Sequence, residues 1–116
     1  MAVTESFRAF VLEQLEHVAR DIRDLRMFGG VGIYSGEIFF ALIAGDIVYF
    51  KADDATRANF EAEGMEPFRP YGDRPHTMQY YELPLRVLED TDALRVWVAD
   101  AIGAARRASG ARMKKR

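Results

Sequence analysis

Two short turns constrain this chain more than any other feature in it. Ser35-Gly36 and Ala44-Gly45-Asp46 interrupt a stretch rich in β-branched and aromatic residues, leaving Arg26 to Tyr34, Glu37 to Ile43 and Ile47 to Lys51 as three segments. A connection of two or three residues is too short for the crossover that joins parallel strands, so the segments predict an antiparallel three-stranded meander. In the first segment Gly29, Gly30 and Gly32 disfavour helix and suit a bent strand, with Gly29 and Gly30 permitting a bulge or a close approach of the preceding helix. Along the middle segment both alternating sets are apolar: Ile38, Phe40 and Leu42 on one face, Phe39, Ala41 and Ile43 on the other. Both faces should then be covered, one by helices and the other by the rest of the chain or a second molecule.

The flanking segments read as helices. Phe7, Val11, Leu15, Val18, Ile22 and Leu25 recur at spacings of four, four, three, four and three, which predicts one amphipathic helix from Glu5 to Leu25. Asp53 as N-cap and Gly64 as C′ residue bracket a short helix from Asp54 to Glu63. Pro67, Pro70, Gly72 and Pro75 then predict an extended piece over Glu66 to Tyr71 and a loop through His76, before a strand over Thr77 to Glu82. Glu89-Asp90-Thr91-Asp92 reads as a capping cluster for a last helix that presents Leu94, Val98, Ala101, Ile102 and Ala105 and frays beyond Ala108. The expected order is α-β-β-β-α-β-β-α, a two-layer α+β domain over residues 1–105 with a basic, flexible tail over 106–116.

Composition narrows the function classes. A chain of 116 residues has room for one core. It has no cysteine, which excludes thiolate nucleophiles, disulfides and cysteine-ligated zinc. No apolar run approaches the ~20 residues needed to cross a bilayer, and Met1 to Glu5 has neither the basic start nor the apolar stretch of a signal peptide. No membrane association and a cytoplasmic location are the expectation. The net charge of −2 hides an asymmetry: residues 1–102 carry 10 basic and 18 acidic side chains, and the remainder carries Arg106, Arg107, Arg112, Lys114, Lys115 and Arg116 with no acid. Those six have the sign for phosphate contacts and make weak nucleic-acid binding a candidate role, although no aromatic accompanies them for base stacking.

Other candidate chemistry is sparse. Gly30-Val31-Gly32 lacks the third glycine and helix start of a dinucleotide loop, and no Gly-Lys-Ser/Thr follows. His17 and His76 have no second ligand at a recurrent metal spacing. Asp53-Asp54 sits where a helix start favours negative charge. Lys51, at the end of an apolar strand, reads as an anion or partner contact, or as a strand-end lysine whose ammonium reaches water. Tyr80 and Tyr81 must point to opposite faces. No cofactor is implied and no enzymatic constellation appears; an enzyme or small-molecule pocket near Lys51, His76 and Tyr81 ranks last.

Several motifs occur together and in order: Met27-Phe28-Gly29-Gly30-Val31-Gly32-Ile33-Tyr34, Phe39-Phe40-Ala41-Leu42-Ile43, Tyr49-Phe50-Lys51, Phe60-Glu61-Ala62-Glu63-Gly64, Pro67-Phe68 and Tyr80-Tyr81-Glu82-Leu83-Pro84. Over about residues 5–105 the chain resembles the N-terminal domain of the TfoX/Sxy family. The resemblance implies a two-layer domain similar to secretion-chaperone-like folds, with no established enzymatic activity and no agreed active-site residues. It further implies a regulator of bacterial competence that works with a transcription-regulator partner, the cyclic-AMP receptor protein, at promoters. The two-domain regulators carry a further helical domain after this one, and this chain is expected to be a stand-alone version. A non-enzymatic interaction domain follows, forming a homodimer through the uncovered sheet face, with Phe39, Ile43, Lys51 and Tyr81 as its expected contact residues.

Overall fold

The computed structural model describes residues 3–27, 29–69 and 79–114, with side chains described as far as residue 110. The elements run α1 (Glu5–Glu16), β1 (Ile22–Met27), β2 (Gly30–Ser35), β3 (Ile38–Ala44), β4 (Ile47–Lys51), α2 (Arg57–Ala62), β5 (Tyr80–Glu82), α3 (Leu85–Leu88) and α4 (Thr91–Lys114). The five strands form one antiparallel sheet in sequential order, β1-β2-β3-β4-β5, so the α+β class and the meander stand.

The element order differs from expectation in three places. Helix α1 begins where Thr4 accepts a hydrogen bond from the Phe7 backbone, but it ends at Glu16, not Leu25. Asp21 takes a φ of 52°, a conformation aspartate tolerates better than most residues, and the chain turns into β1. Ile22 and Leu25 fit a helical stripe by spacing, but pairing of the whole segment with β2, from Ile22↔Ser35 to Met27↔Gly30, outweighs that local preference. Of the expected strand over Glu66 to Tyr71, the described residues 66–69 form a single bridge, Pro67↔Tyr81, since proline has no N–H to give a ladder, and Pro70 and Tyr71 lie outside the described residues. A one-turn helix, α3, follows Pro84, whose fixed φ suits a helix start.

One irregularity decides which side chains meet the helices. Ile33 pairs with Ala41 but Tyr34 pairs with Phe39, so Phe40 is an extra residue in β3. This β-bulge turns both Phe40 and Ala41 inward. The expected alternation over Ile38 to Ile43 is therefore broken: Phe40, Ala41 and Ile43 are fully buried together, while Phe39 and Leu42 share the opposite face and are half-buried.

Among the described residues, every helix lies on the inner face. Helix α4 packs on β3 and β4 through Leu94, Val98, Ala101 and Ala105, with α1 beside it supplying Val11 and Leu15. Phe40 and Phe50 meet edge to face at 5.8 Å, and Phe60 of α2 meets Trp97 at 5.0 Å. Each fully buried aliphatic or aromatic side chain contributes about 1.5–3 kcal/mol relative to exposure, so this single layer of contacts holds the helices to the sheet. The glycines expected near α1 serve the sheet instead: Gly29, with φ 78°, lies in the β1–β2 turn, and a Cβ on Gly30 would come within 2.6 Å of the Ile43 carbonyl oxygen.

Candidate functional site

Among the described residues, the outer face of the sheet carries no helix. Strand register places Leu25 and Met27 of β1, Tyr34 of β2, Phe39 and Leu42 of β3, Tyr49 and Lys51 of β4, and Tyr80 and Glu82 of β5 on this side. Its aromatic side chains form two groups of touching rings. Tyr34 stacks on Phe39 at 5.0 Å, Phe39 lies 5.5 Å from Tyr80, and the Lys51 ammonium sits 5.2 Å from the centre of the Tyr80 ring. Tyr49 packs 4.9 Å from Phe68, and its partial burial, with Glu82 nearby, pushes the phenol above its ordinary value. At the margins Leu25 is 57% exposed and Ile47 36% exposed. An aromatic band with exposed aliphatic margins is suited to contact another apolar surface; a tyrosine ring offers large area at low entropy cost.

Two grooves adjoin this face. One, of about 300 Å³, lies between Tyr49, Pro67, Phe68 and the charged residues Glu66, Arg69 and Glu82. The other, of about 490 Å³, lies where β4 leads into α2 and is lined by Lys51, Asp53, Asp54, Gln79, Arg107 and Ala108. Its charges are engaged within the fold. Arg107 donates to Asp53 at 2.6 Å, while the other Asp53 oxygen accepts from the backbone of Ala55 and Thr56. The Arg107 hydrogen bond leads the causes that hold the Asp53 carboxyl below its ordinary value. Among the described residues, no three His, Cys, Asp or Glu side chains converge as metal ligands.

The four expected contact residues are divided by the sheet. Phe39 and Lys51 lie on the outer face. Ile43 is fully buried beneath α4, and Tyr81 is buried against Phe60 at 5.6 Å, so both lie on the inner, helix-covered face. The physical reasons are the bulge at Phe40, which separates Phe39 from Ile43, and the pairing of Lys51 with Tyr80, which puts Tyr80 and not Tyr81 outside. The pocket expected around Lys51, His76 and Tyr81 is not assembled by Lys51 and Tyr81, which lie on opposite faces; His76 lies outside the described residues.

The basic stretch is likewise not uniform. Helix α4 continues through Lys114, so Arg106, Arg107, Arg112 and Lys114 all belong to a helix that runs past Ala108. Arg106 is exposed, and Arg107 is tied to Asp53. The side chains of Arg112 and Lys114, and Lys115 and Arg116 altogether, lie outside the description. Sequence reasoning missed Leu25, counted with a helix, and Arg107 as a partner of Asp53, a pair separated by 54 positions with no local signal.

The outer aromatic band is built from the strands that carry the glycine, Phe-Phe and Tyr-Tyr motifs. Residues 13–105 match the family model of the TfoX N-terminal domain. No curated protein matches the chain. With that match spanning well over half of the 116 residues, on a five-stranded antiparallel α+β fold, the chain belongs to the TfoX N-terminal domain family.

Proposed function

We propose that this chain is a non-enzymatic regulatory domain that binds a protein partner, a transcription regulator, through the outer face of its sheet. The observation that carries this reading is the aromatic group Tyr34, Phe39 and Tyr80, with the pair Tyr49 and Phe68 on the same side, on a sheet face that carries no helix among the described residues and whose opposite face packs against the helices. Half-buried Tyr34, Phe39, Tyr49 and Phe68 around a buried Tyr80, with exposed aliphatic margins, match the composition of interface centres, where a few such residues dominate binding. A reaction centre has less support. In the groove beside Lys51, Asp53 and Arg107 are occupied with each other and with the turn that leads into α2.

Site-specific photo-crosslinking in the native host tests the reading. A benzophenone amino acid at Ile47, on the outer face, is expected to give an adduct of one defined mass. The same probe at Val96, exposed on the helical layer, is expected to give none. Adducts from Val96 alone, or none from Ile47, would reject the face as the binding surface.

A further inference from the structure

The two edges of the sheet are treated differently by the fold. At the β5 edge the chain covers itself: Phe68 N–H donates to the Tyr80 carbonyl at 2.7 Å, and Glu82 N–H donates to Glu66 at 3.1 Å. At the β1 edge, among the described residues, no backbone group of another segment approaches from outside. An uncovered edge of six residues is a template for another strand.

The register of β1 shows which groups are on offer. Gly36 N–H donates to the Asp21 carbonyl, and this pair continues the register Ile22↔Ser35. Direct antiparallel partners alternate between bonded and non-bonded, so Arg23, Leu25 and Met27 bond inward to β2. The N–H and C=O groups of Ile22, Asp24 and Arg26 therefore point outward from the sheet.

We propose that β1 pairs with β1 of a second copy, antiparallel and centred on Leu25, to join two sheets into one. Charge selects this register. A two-fold pairing centred on Arg23, Asp24 or Arg26 sets like charges directly opposite each other, which is destabilising. Centring on Leu25 sets Asp24 against Arg26 of the second copy twice, as bonded partners whose outward backbone groups match. Leu25, 57% exposed, then meets its own equivalent on the outer face, and Arg23 lies opposite Met27. On the inner side Arg8 already donates to Asp24 at 2.6 Å and Arg26 donates to Glu5 at 3.0 Å. The joined edge extends these pairs into an alternating network across the two-fold. Charged edge strands ordinarily deter self-pairing. Here the signs are arranged to favour it in one register. The inference goes beyond the face reading above, since the face can bind its partner whether or not the edge pairs.

The absence of cysteine makes the test direct. In the full chain, Leu25→Cys places two thiols at a non-bonded pair with Cα atoms about 4.5 Å apart, within disulfide reach. Arg23→Cys places its thiols four residues out of step, about 14 Å apart, beyond reach. Under mild oxidation Leu25→Cys is expected to form a covalent dimer, and Arg23→Cys is expected to stay monomeric. Adding Arg26→Asp to Leu25→Cys should slow cross-linking about tenfold, because two attractive pairs become repulsive. In the unmodified chain the amides of Asp24 and Arg26 should gain exchange protection as concentration rises. Failure of Leu25→Cys to cross-link, equal cross-linking of Arg23→Cys, or a dimer by light scattering without Leu25→Cys cross-linking overturns the proposal. The last outcome would place the contact on the outer face or with a strand from a different protein.

Discussion

Arg107 Nε lies 2.6 Å from Asp53 Oδ2, across 54 positions of sequence, and ties the last helix to the junction between β4 and α2. The same carboxylate accepts from the backbone of Ala55 and Thr56 through its other oxygen, so one side chain serves as a tertiary clamp and closes the turn that precedes α2, which starts only at Arg57 and not at the expected Asp54. The two roles are separable. Asp53→Ala should cost about 1 kcal/mol through the lost turn hydrogen bonds alone, and Asp53→Asn should cost less because its amide oxygen still accepts. Chemical denaturation of both variants checks the order.

The pH dependence of stability follows from the same pair. Asp53 is held below its ordinary value, first by the Arg107 hydrogen bond, so the unfolded chain takes up a proton before the folded one does. The stabilisation is complete above the ordinary carboxylate value near 3.8 and is lost as pH falls from there through the lowered folded value. Arg107→Ala should therefore flatten the acid limb of stability against pH while leaving the slope around neutrality unchanged. Its effect at neutral pH should be small, as befits a partly exposed pair. Thermal melts across the acid range would show a retained limb if the pair were idle.

Gly30 and Gly32 differ in what a methyl group would meet. On Gly30 a Cβ would lie 2.6 Å from the Ile43 backbone oxygen, which cannot move without breaking the β2–β3 register. On Gly32 the nearest atom, also at 2.6 Å, is the terminal methyl of Met27, which can rotate away, although the Phe39 ring at 3.1 Å must also yield. Gly30→Ala is expected to cost about 1–3 kcal/mol and Gly32→Ala less. Equal midpoints in urea would contradict this.

The bulge assigns different energetic roles to neighbouring residues of β3. Phe40 is fully buried, and Phe40→Ala should cost about 3–5 kcal/mol, enough to unfold a domain of marginal stability. Leu42, half-buried on the outer face, should lose clearly less on truncation to Ala. Regular alternation without the bulge would put both residues on one face and give them similar costs, so the ratio of the two unfolding energies reads the bulge directly.

Asp90 accepts from the backbone of Asp92 and Ala93 and starts α4. Asp90→Ala is expected to cost about 1 kcal/mol, while Asp90→Ser should restore most of it. Circular dichroism during urea unfolding measures both.

Much of this architecture was legible in the sequence because it is encoded locally. The turns around Gly36 and Gly45 force neighbouring strands to run antiparallel, Asp90 marks the start of α4, and Gly64, at φ 75°, marks the end of α2 where Met65 N–H bonds back to Phe60. What the sequence could not show is set by partners distant along the chain. Ile22 and Leu25 fit a helix by spacing and become a strand only because β2 lies beside them. Phe39 and Ile43 lie two steps apart on each side of Ala41 and would share a face, until the extra residue at Phe40 separates them. Arg107 looks like part of a basic tail until Asp53 is brought to it. By itself the sequence determined the class of fold, the order of its hairpins, the absence of thiol chemistry and the family motifs. The outer surface and its residues were decided only in three dimensions, because a side chain's face depends on register, and register is a property of paired strands rather than of any one segment.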